Sequence, residues 1–161
     1  MKRKDVKNVM AYYNEIPEMI HALQHERGEL EDQHYNALGA AAADGMPRSG
    51  EPGKPVENIA INAAEKGVGD RLKEITKRLE ILDSDAEVIW GCLAGLNSRS
   101  NQVLARRYQH RDSWAEIALK MEAPDSTVRS WHDKALDVVG EALDEVPTSG
   151  EILGRASRAR V

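Results

Sequence analysis

Two long stripes of apolar residues at helical spacing constrain this chain more than any other feature of its sequence. The first stripe recurs at alternating steps of four and three residues, at Val9, Tyr13, Ile16, Ile20, Leu23, Arg27, Leu30 and His34. The second stripe keeps the same rhythm at Val68, Leu72, Ile75, Leu79, Leu82, Ala86, Ile89, Leu93 and Leu96. This rhythm is close to the heptad repeat of a coiled-coil seam, with Arg27 and His34 as polar interruptions. The stripes therefore predict two long helices that each bury one face.

A segment rich in proline and glycine separates the two stripes. Residues 44–55 hold three prolines and three glycines, a density that ends any helix. We predict one helix ending near Ala43 and another ending near Leu96, joined by this connection into an antiparallel hairpin over residues 1–96. Pro17 lacks an amide hydrogen and predicts a kink or a restart inside the first helix. A two-helix hairpin buries little surface, so we expect homo-oligomers, and whether the hairpin closes within one chain or between two stays open.

The composition favours helices throughout. Of the 161 residues, 41% are hydrophobic, only 4% are aromatic and none is phenylalanine, so few runs exist that could build a sheet. The fold class that we expect is therefore all-α. The single cysteine, Cys92, excludes an intramolecular disulfide and lies in an apolar stretch, where we expect it to be a small buried hydrophobe.

Several function classes find no support in the sequence. No apolar run reaches the length of a signal peptide or a membrane span, so we expect a cytoplasmic protein with no membrane partner. His21 and His25 lie one turn apart, but the His-Glu-x-x-His pattern is missing and His132 has no second ligand at metal spacing. We therefore expect no metal site and no cofactor. No catalytic set of Ser, His and Asp or of Cys and His is identifiable, and we expect a protein that is not an enzyme.

The segment after the second stripe has the layout of three short helices. Capping residues stand before each of them: Asn97 or Ser98 before the first, Ser113 with Glu116 as a capping box before the second, and Asp125 or Ser126 before the third. The residues expected to face inward are Val103, Leu104, Tyr108, Trp114, Ile117, Ala118, Met121, Val128, Trp131, Ala135, Leu136 and Val139. Two helices joined by a short turn, here Glu122–Pro124, are the parts of a helix-turn-helix. We place this compact domain at residues 97–143.

Four short strings mark this segment. They are Leu104-x-x-Arg107-Tyr108, Ser113-Trp114-x-Glu116-Ile117-Ala118, Ser126-Thr127-Val128 and Lys134-Ala135-Leu136. Together they resemble the promoter-binding helix-turn-helix, region 4, of bacterial sigma factors. The chain is similar, more closely, to small phage and prophage sigma-like proteins of unknown function, which also carry a long helical N-terminal half and a segment like Met46–Ser49. The resemblance implies a transcription regulator that binds double-stranded DNA, with RNA polymerase as a further partner.

In such a module the helix at 125–139 would lie in the major groove, with its N-terminal residues against base edges. The residues not needed for packing are Ser126, Thr127, Arg129, Ser130 and Asp133. Arg129 is the strongest candidate, because a guanidinium can pair bidentately with guanine O6 and N7. Ser126 and Thr127 could instead contact phosphates. The candidate phosphate ligands are Arg106, Arg107, Arg111 and Lys134, with a structural ion pair as the alternative role for Arg107.

Two regions carry weaker expectations. We expect residues 144–161 to be a flexible tail, whose Arg155, Arg158 and Arg160 could touch phosphates or simply be solvated. We interpret His132 as a surface or half-packed side chain.

Charge argues against a strong free-standing DNA binder. The chain has a formal net charge of -5, and Ser98–Val139 holds seven Lys and Arg against six Asp and Glu. Such a footprint is thin, because affinity for the phosphate backbone rests on positive charge. A module that acts through a partner or as a dimer tolerates this deficit. Two other hypotheses stay open: a DNA-packaging protein like the small terminase subunit, which forms oligomers, and an interaction module whose helix-turn-helix no longer touches DNA.

Overall fold

The predicted all-α fold class is confirmed. The computed structural model describes residues 1–43 and 55–160, with side chains for 1–36 and 64–160, and it contains no strand in these ranges. The helices are α1 (Arg3–Ala43), α2 (Pro55–Leu93), α3 (Ser98–Leu104), α4 (Trp114–Lys120), α5 (Asp125–Asp144) and α6 (Ser149–Arg158). A π-helical turn, Ala105–Gln109, continues α3. Most of the predicted connection at 44–55 lies outside the described residues.

The long helices agree with the two apolar stripes. α1 passes through Pro17 without ending, and α2 ends at Leu93, three residues before the predicted end. No helix in the part of the chain that the structure describes is both long and apolar enough to cross a membrane. The described chain divides into two compact units: a head unit, Met1–Pro17 with Asp83–Val161, and a hairpin unit, Glu18–Leu82. Each long helix therefore contributes one end to each unit.

In the hairpin unit, the two long helices of one chain contact each other. Leu23 of α1 and Ile75, Leu79 and Leu82 of α2 are buried, as the stripes predict. Arg71 donates two hydrogen bonds to the Glu26 carboxylate, at 2.7 and 2.9 Å, and this bidentate pair joins α1 to α2. The Arg71 guanidinium lowers the pKa of Glu26. Coiled-coil packing and self-association through this hairpin stay predictions.

In the head unit, the helix-turn-helix surrounds a small apolar core. Val103, Ile117 and Val128 are fully buried and come from α3, α4 and α5. The partly buried residues packed against them are Trp114, Ala118, Met121, Ala123 and Trp131. The predicted capping box is present: the Ser113 hydroxyl accepts from the Glu116 amide at 3.3 Å, and the Glu116 carboxylate accepts from the Ser113 amide at 2.7 Å. Asn97 likewise caps α3.

The start of α1 packs against the end of α5, which the sequence did not predict. A Cβ atom on Gly140 would lie 3.1 Å from the Met1 carbonyl oxygen and 3.1 Å from the Val6 Cγ2, so this glycine permits the close approach. Val6 and Val9 are completely buried there. The helix-turn-helix therefore has an N-terminal support that lies far from it in sequence.

Three local expectations need correction. Neither Asp125 nor Ser126 caps α5: Pro124 occupies that position without a side-chain hydrogen bond, and the Asp125 carboxylate accepts from Arg129 instead. α5 also continues beyond Val139 to Asp144. His132 is buried, with 3% of its surface exposed, because it packs between two aromatic rings.

The expected flexible tail at 144–161 also differs in the structure, where it contains α6. Ile152 and Ala156 are completely buried, one turn apart on one face of that helix. Arg155 is half-buried and donates two hydrogen bonds to the Asp85 carboxylate, both at 2.7 Å. These contacts hold the segment in place. The Arg155–Asp85 contact joins residues 70 positions apart, so local sequence patterns do not predict it. The division of the chain at residues 96 and 143 stays a prediction.

Candidate nucleic-acid interface

The candidate interface is built on α5, and the turn before it sets its position. α4 ends at Lys120, and the amide of Ala123 donates to the Ala118 carbonyl at 3.0 Å, which closes the helix end. Glu122 adopts a left-handed conformation, with φ of 52°, so the chain reverses direction within four residues. Val128 and Ile117 then pack against each other across the two helices. This packing leaves the first turns of α5 with one face free.

The predicted base-reading residues lie on that free face. Ser126, Arg129 and Ser130 are exposed, whereas Thr127 and Asp133 are half-buried. Lys134, a predicted phosphate ligand, is exposed on the same helix. The structure therefore brings the α5 candidates together on one element, and their contact with DNA stays a prediction.

Arg129 is held against its own module in this state. Its Nε donates to the Asp125 carboxylate at 2.7 Å, four residues earlier on α5. Its guanidinium also lies 5.0 Å from the centre of the Trp114 ring, within the range of a cation–π contact. To reach a base edge, Arg129 must therefore leave Asp125. Exposed helical ion pairs of this kind contribute about 0.3–0.5 kcal/mol, so breaking this one costs little.

The acidic residues of α5 are largely neutralised, and the key partner is a residue that the sequence analysis missed. Arg3 of α1 donates to both carboxylate oxygens of Asp137, each at 2.6 Å, and to Asp133 at 3.2 Å. The amino group of Met1 pairs with Asp144. Arg3 lowers the pKa of Asp137 through these hydrogen bonds. The small positive net charge counted over Ser98–Val139 is thus lower than that of the folded surface, because Arg3 and the Met1 amino group are added to it.

The remaining predicted phosphate ligands have unequal freedom. The Arg106 guanidinium lies 3.6 Å from the Asp112 carboxylate, which also accepts from Lys120 at 2.9 Å. This Lys120 hydrogen bond is the main cause of a lowered pKa at Asp112. Arg111 is exposed and has a positive φ of 57°. Arg106 is therefore paired within the module whereas Arg111 is exposed, and the contact of both with phosphates stays a prediction.

Arg107 is positioned by two contacts that leave its charge unpaired by a carboxylate. Its Nη1 donates to the Asp112 carbonyl at 3.0 Å, and its guanidinium lies 4.7 Å from the centre of the Trp114 ring. The predicted alternative, a structural ion pair, is not seen among the described residues. Arg107 is instead oriented by a backbone oxygen and an indole face.

A polar pair lies behind this surface. The Tyr108 hydroxyl is 3.1 Å from Nε2 of His132, and the Trp114 ring meets the imidazole edge-on at 4.9 Å. Burial raises the pKa of Tyr108 to about 12, and burial lowers the pKa of His132. Both groups are therefore uncharged at neutral pH, which suits their place inside the module.

Comparison with protein families gives the same assignment as the motifs. Residues 92–139 match the family model of sigma-70, region 4. This match covers less than a third of the chain, and it includes the core, the turn and most of α5, from Asp125 to Val139. The C-terminal region thus carries a DNA-binding helix-turn-helix module like that of sigma factors, and the resemblance stated from the motifs is confirmed for this region. No curated protein and no solved structure matches the chain.

Within the described side chains, no group of three His, Cys, Asp or Glu residues is arranged to hold a metal ion. The residues of the site offer hydrogen-bond donors and positive charge.

Proposed function

We propose that this protein is a transcription regulator of the phage sigma-like type, which recognises a promoter or operator through α5. The observation that carries the proposal is the match of residues 92–139 to sigma-70 region 4, combined with the free face of α5. In this mechanism the first turns of α5, which begin at Asp125, enter the major groove, and Ser126, Arg129 and Ser130 meet base edges. Arg111 and Lys134 contact the flanking phosphates.

The pairing of Arg129 with Asp125 gives this mechanism a built-in discrimination. Off DNA, the guanidinium is satisfied by a carboxylate four residues away and by the Trp114 ring. A guanine at the right position offers two acceptors in exchange, whereas other bases offer a poorer replacement. The energy gained on a wrong site is therefore partly cancelled by the lost pairing. We propose that Arg129 contributes more to selectivity than to total affinity.

The hairpin unit supplies a second contact in this proposal, either with a second copy of the chain or with RNA polymerase. A module with a modest positive charge gains affinity when a second attachment holds it near the DNA. A ring-shaped oligomer would instead favour the DNA-packaging function. Measuring the mass of the purified protein in solution distinguishes such an oligomer from a monomer or dimer.

The decisive test is fluorescence-anisotropy binding to DNA fragments from the neighbourhood of the gene at two salt concentrations, with and without RNA polymerase. Arg129→Ala should lose selectivity for the preferred fragment by about tenfold or more, since a bidentate contact discriminates by about 1–3 kcal/mol. Arg129→Lys keeps the charge but not the fork of donors, so it should retain salt-dependent binding and lose selectivity. The matched control is Arg78→Ala, an exposed arginine on α2, which should leave binding unchanged.

Thermal unfolding of each variant establishes that the loss is not a loss of folding. Absence of binding by the wild type at low salt, alone and with polymerase, would overturn the regulator function and favour the interaction module.

A further inference from the structure

A cavity of about 430 Å³ lies beside α5 and gathers positive charge from four separate parts of the head unit. Its cationic residues are Lys7 of α1, Arg107 of the π-helical turn, Arg129 of α5 and Arg160 beyond α6. Among the described residues, Asp133 is the one carboxylate in its wall, and Arg3 already pairs with it at 3.2 Å. The cavity is thus strongly positive in a chain whose net charge is -5.

The cations of this cavity are short of protein partners. Among the described residues, no carboxylate lies within 4.0 Å of Lys7, Arg107 or Arg160. Arg160 donates to the Asn8 side-chain oxygen at 2.7 Å, which holds it next to Lys7 on α1. Arg107 is held by the Asp112 carbonyl and the Trp114 ring. Neutral groups therefore hold Arg107 and Arg160 in place, and no carboxylate of the described residues compensates their charges.

The rest of the wall is aromatic and uncharged at neutral pH. Tyr108, Trp114 and His132 complete the lining, and the lowered pKa of His132 keeps a fifth positive charge out of the cavity at neutral pH. Lys7 and Arg107 both contribute to that lowering, and Arg107 and Arg160 both lower the pKa of Tyr108, so all three act on the same buried pair. A concave surface lined by one sign of charge focuses the field on an ion of the opposite sign.

We propose that this cavity binds a phosphate group, which is held jointly by Lys7, Arg107 and Arg160. Lys7 and Arg160 lie outside residues 92–139, so the phosphate contact extends beyond the module that the family model matches. Arg129 lies in both the cavity wall and the free face of α5, so the cavity adjoins the surface that would read DNA. The phosphate of the DNA backbone is therefore the favoured source, and in that form the inference rests on the proposed function.

The experiment measures the salt dependence of binding to a short mixed-sequence DNA duplex by fluorescence anisotropy. The double variant Lys7→Gln/Arg160→Gln should lower the slope of log affinity against log salt by roughly one, since each neutralised phosphate of B-DNA contributes about 0.9. The matched control is Lys4→Gln/Arg158→Gln, which removes the same charge from exposed residues of α1 and α6 outside the cavity wall. Its slope should equal that of the wild type.

A second arm identifies the source of the phosphate. Inorganic pyrophosphate is titrated into each protein while the indole N–H signal of Trp114, in the cavity wall, is followed by NMR. A changed DNA slope without saturable pyrophosphate binding assigns the backbone phosphate. Saturable pyrophosphate binding that only the cavity variant loses assigns a small phosphate-bearing ligand.

The inference is overturned if the cavity variant matches its control in both arms while all proteins retain wild-type thermal stability. This failure differs from that of the proposed function. Selective binding that depends on Arg129 can survive it, and the pyrophosphate arm remains informative even where the wild type binds no DNA.

Discussion

Two clusters of the head unit are built on opposite principles. The core of the helix-turn-helix is apolar and local: Val103, Ile117 and Val128 lie within 26 positions of one another. The second cluster is polar and distant, because Asp85 is bound by Tyr12, 73 residues away, and by Arg155, 70 residues away. The first cluster shapes the site, and the second joins α6 to the two long helices.

The polar cluster is fully satisfied. Asp85 is 3% exposed, and its two carboxylate oxygens accept two hydrogen bonds from Arg155 and one from the Tyr12 hydroxyl at 2.8 Å. Burial and the neighbouring carboxylate raise the pKa of Tyr12 well above its usual value, so it remains a donor. A buried ion pair adds little net stability compared with an apolar replacement, but the loss of one partner is costly. Substitutions in the apolar cluster should therefore lower the free energy of unfolding in proportion to the atoms removed. In the polar cluster, the loss of one partner should lower it sharply.

Arg155→Ala should therefore have the largest effect on stability. It leaves the Asp85 carboxylate buried without its cation, and we expect a loss of about 3–5 kcal/mol in the free energy of unfolding, measured by urea denaturation. Arg158→Ala, on the exposed side of α6, should change stability by less than about 0.5 kcal/mol. A loss below about 1 kcal/mol for Arg155→Ala would erase the contrast between the two clusters.

Ile117→Ala probes the apolar cluster and should cost about 2–4 kcal/mol, from the methylenes lost and the cavity left behind. Ile117→Val should cost only about 0.5–1.5 kcal/mol, because most of the contacts remain. Equal losses of unfolding free energy for the two Ile117 variants in urea denaturation would mean that stability does not follow the number of atoms removed from the apolar core.

The His132 environment predicts a smaller, pH-dependent effect on the edge of the apolar cluster. Burial lowers the pKa of His132 below 6.5, with Lys7 and Arg107 acting in the same direction and Asp133 in the opposite one, while Tyr108 faces the ring without charge. The unfolded chain therefore binds a proton more readily than the folded one. Stability is complete above about pH 6.5 and is lost as the pH falls from there towards the lower folded pKa.

Urea denaturation at several pH values measures this slope. His132→Gln should flatten the pH dependence in that window, whereas His110→Gln, at an exposed position, should leave it as in the wild type. A slope that survives in His132→Gln would place its origin elsewhere.

The smallest effect is expected at the turn that aims α5. Glu122 has a φ of 52°, a conformation that costs a residue with a Cβ atom about 1 kcal/mol. Glu122→Gly should raise the midpoint of thermal unfolding by a few degrees. The control, Ala115→Gly in the first turn of α4, should lower it, because glycine weakens a helix. A lower midpoint for Glu122→Gly would show that the Glu122 side chain contributes more than its backbone costs.

The apolar cluster could be predicted from the sequence, and the polar cluster could not. Periodicity and capping rules found Ile117, Val128 and the Ser113–Glu116 box, because their partners lie within a few turns of chain. Capping failed at Asp125, where an arginine one turn later offered the carboxylate a better partner than the helix end.

Residues that act across the fold carried no local signal. Arg3, Lys7 and Arg160 look like ordinary solvated charges near the ends of the sequence, yet Arg3 neutralises α5 and the other two line the cavity beside it. Two hints were present: the apolar residues Ile152 and Ala156 at helical spacing in the tail, and Gly140 inside an otherwise regular helix. Pairing them with α1 requires the three-dimensional structure.

The contact between Arg3 and Asp137 spans 134 residues, and it has a consequence for how the chain is made. The ribosome releases α1 before α5, and at about 5–20 residues per second the 134 residues that separate Arg3 from Asp137 take several seconds or more to follow. Val6 and Val9 must therefore stay without their final neighbours for several seconds while the helix-turn-helix folds from local contacts. The start of α1 therefore reaches its native contacts with α5 only after α5 has been translated.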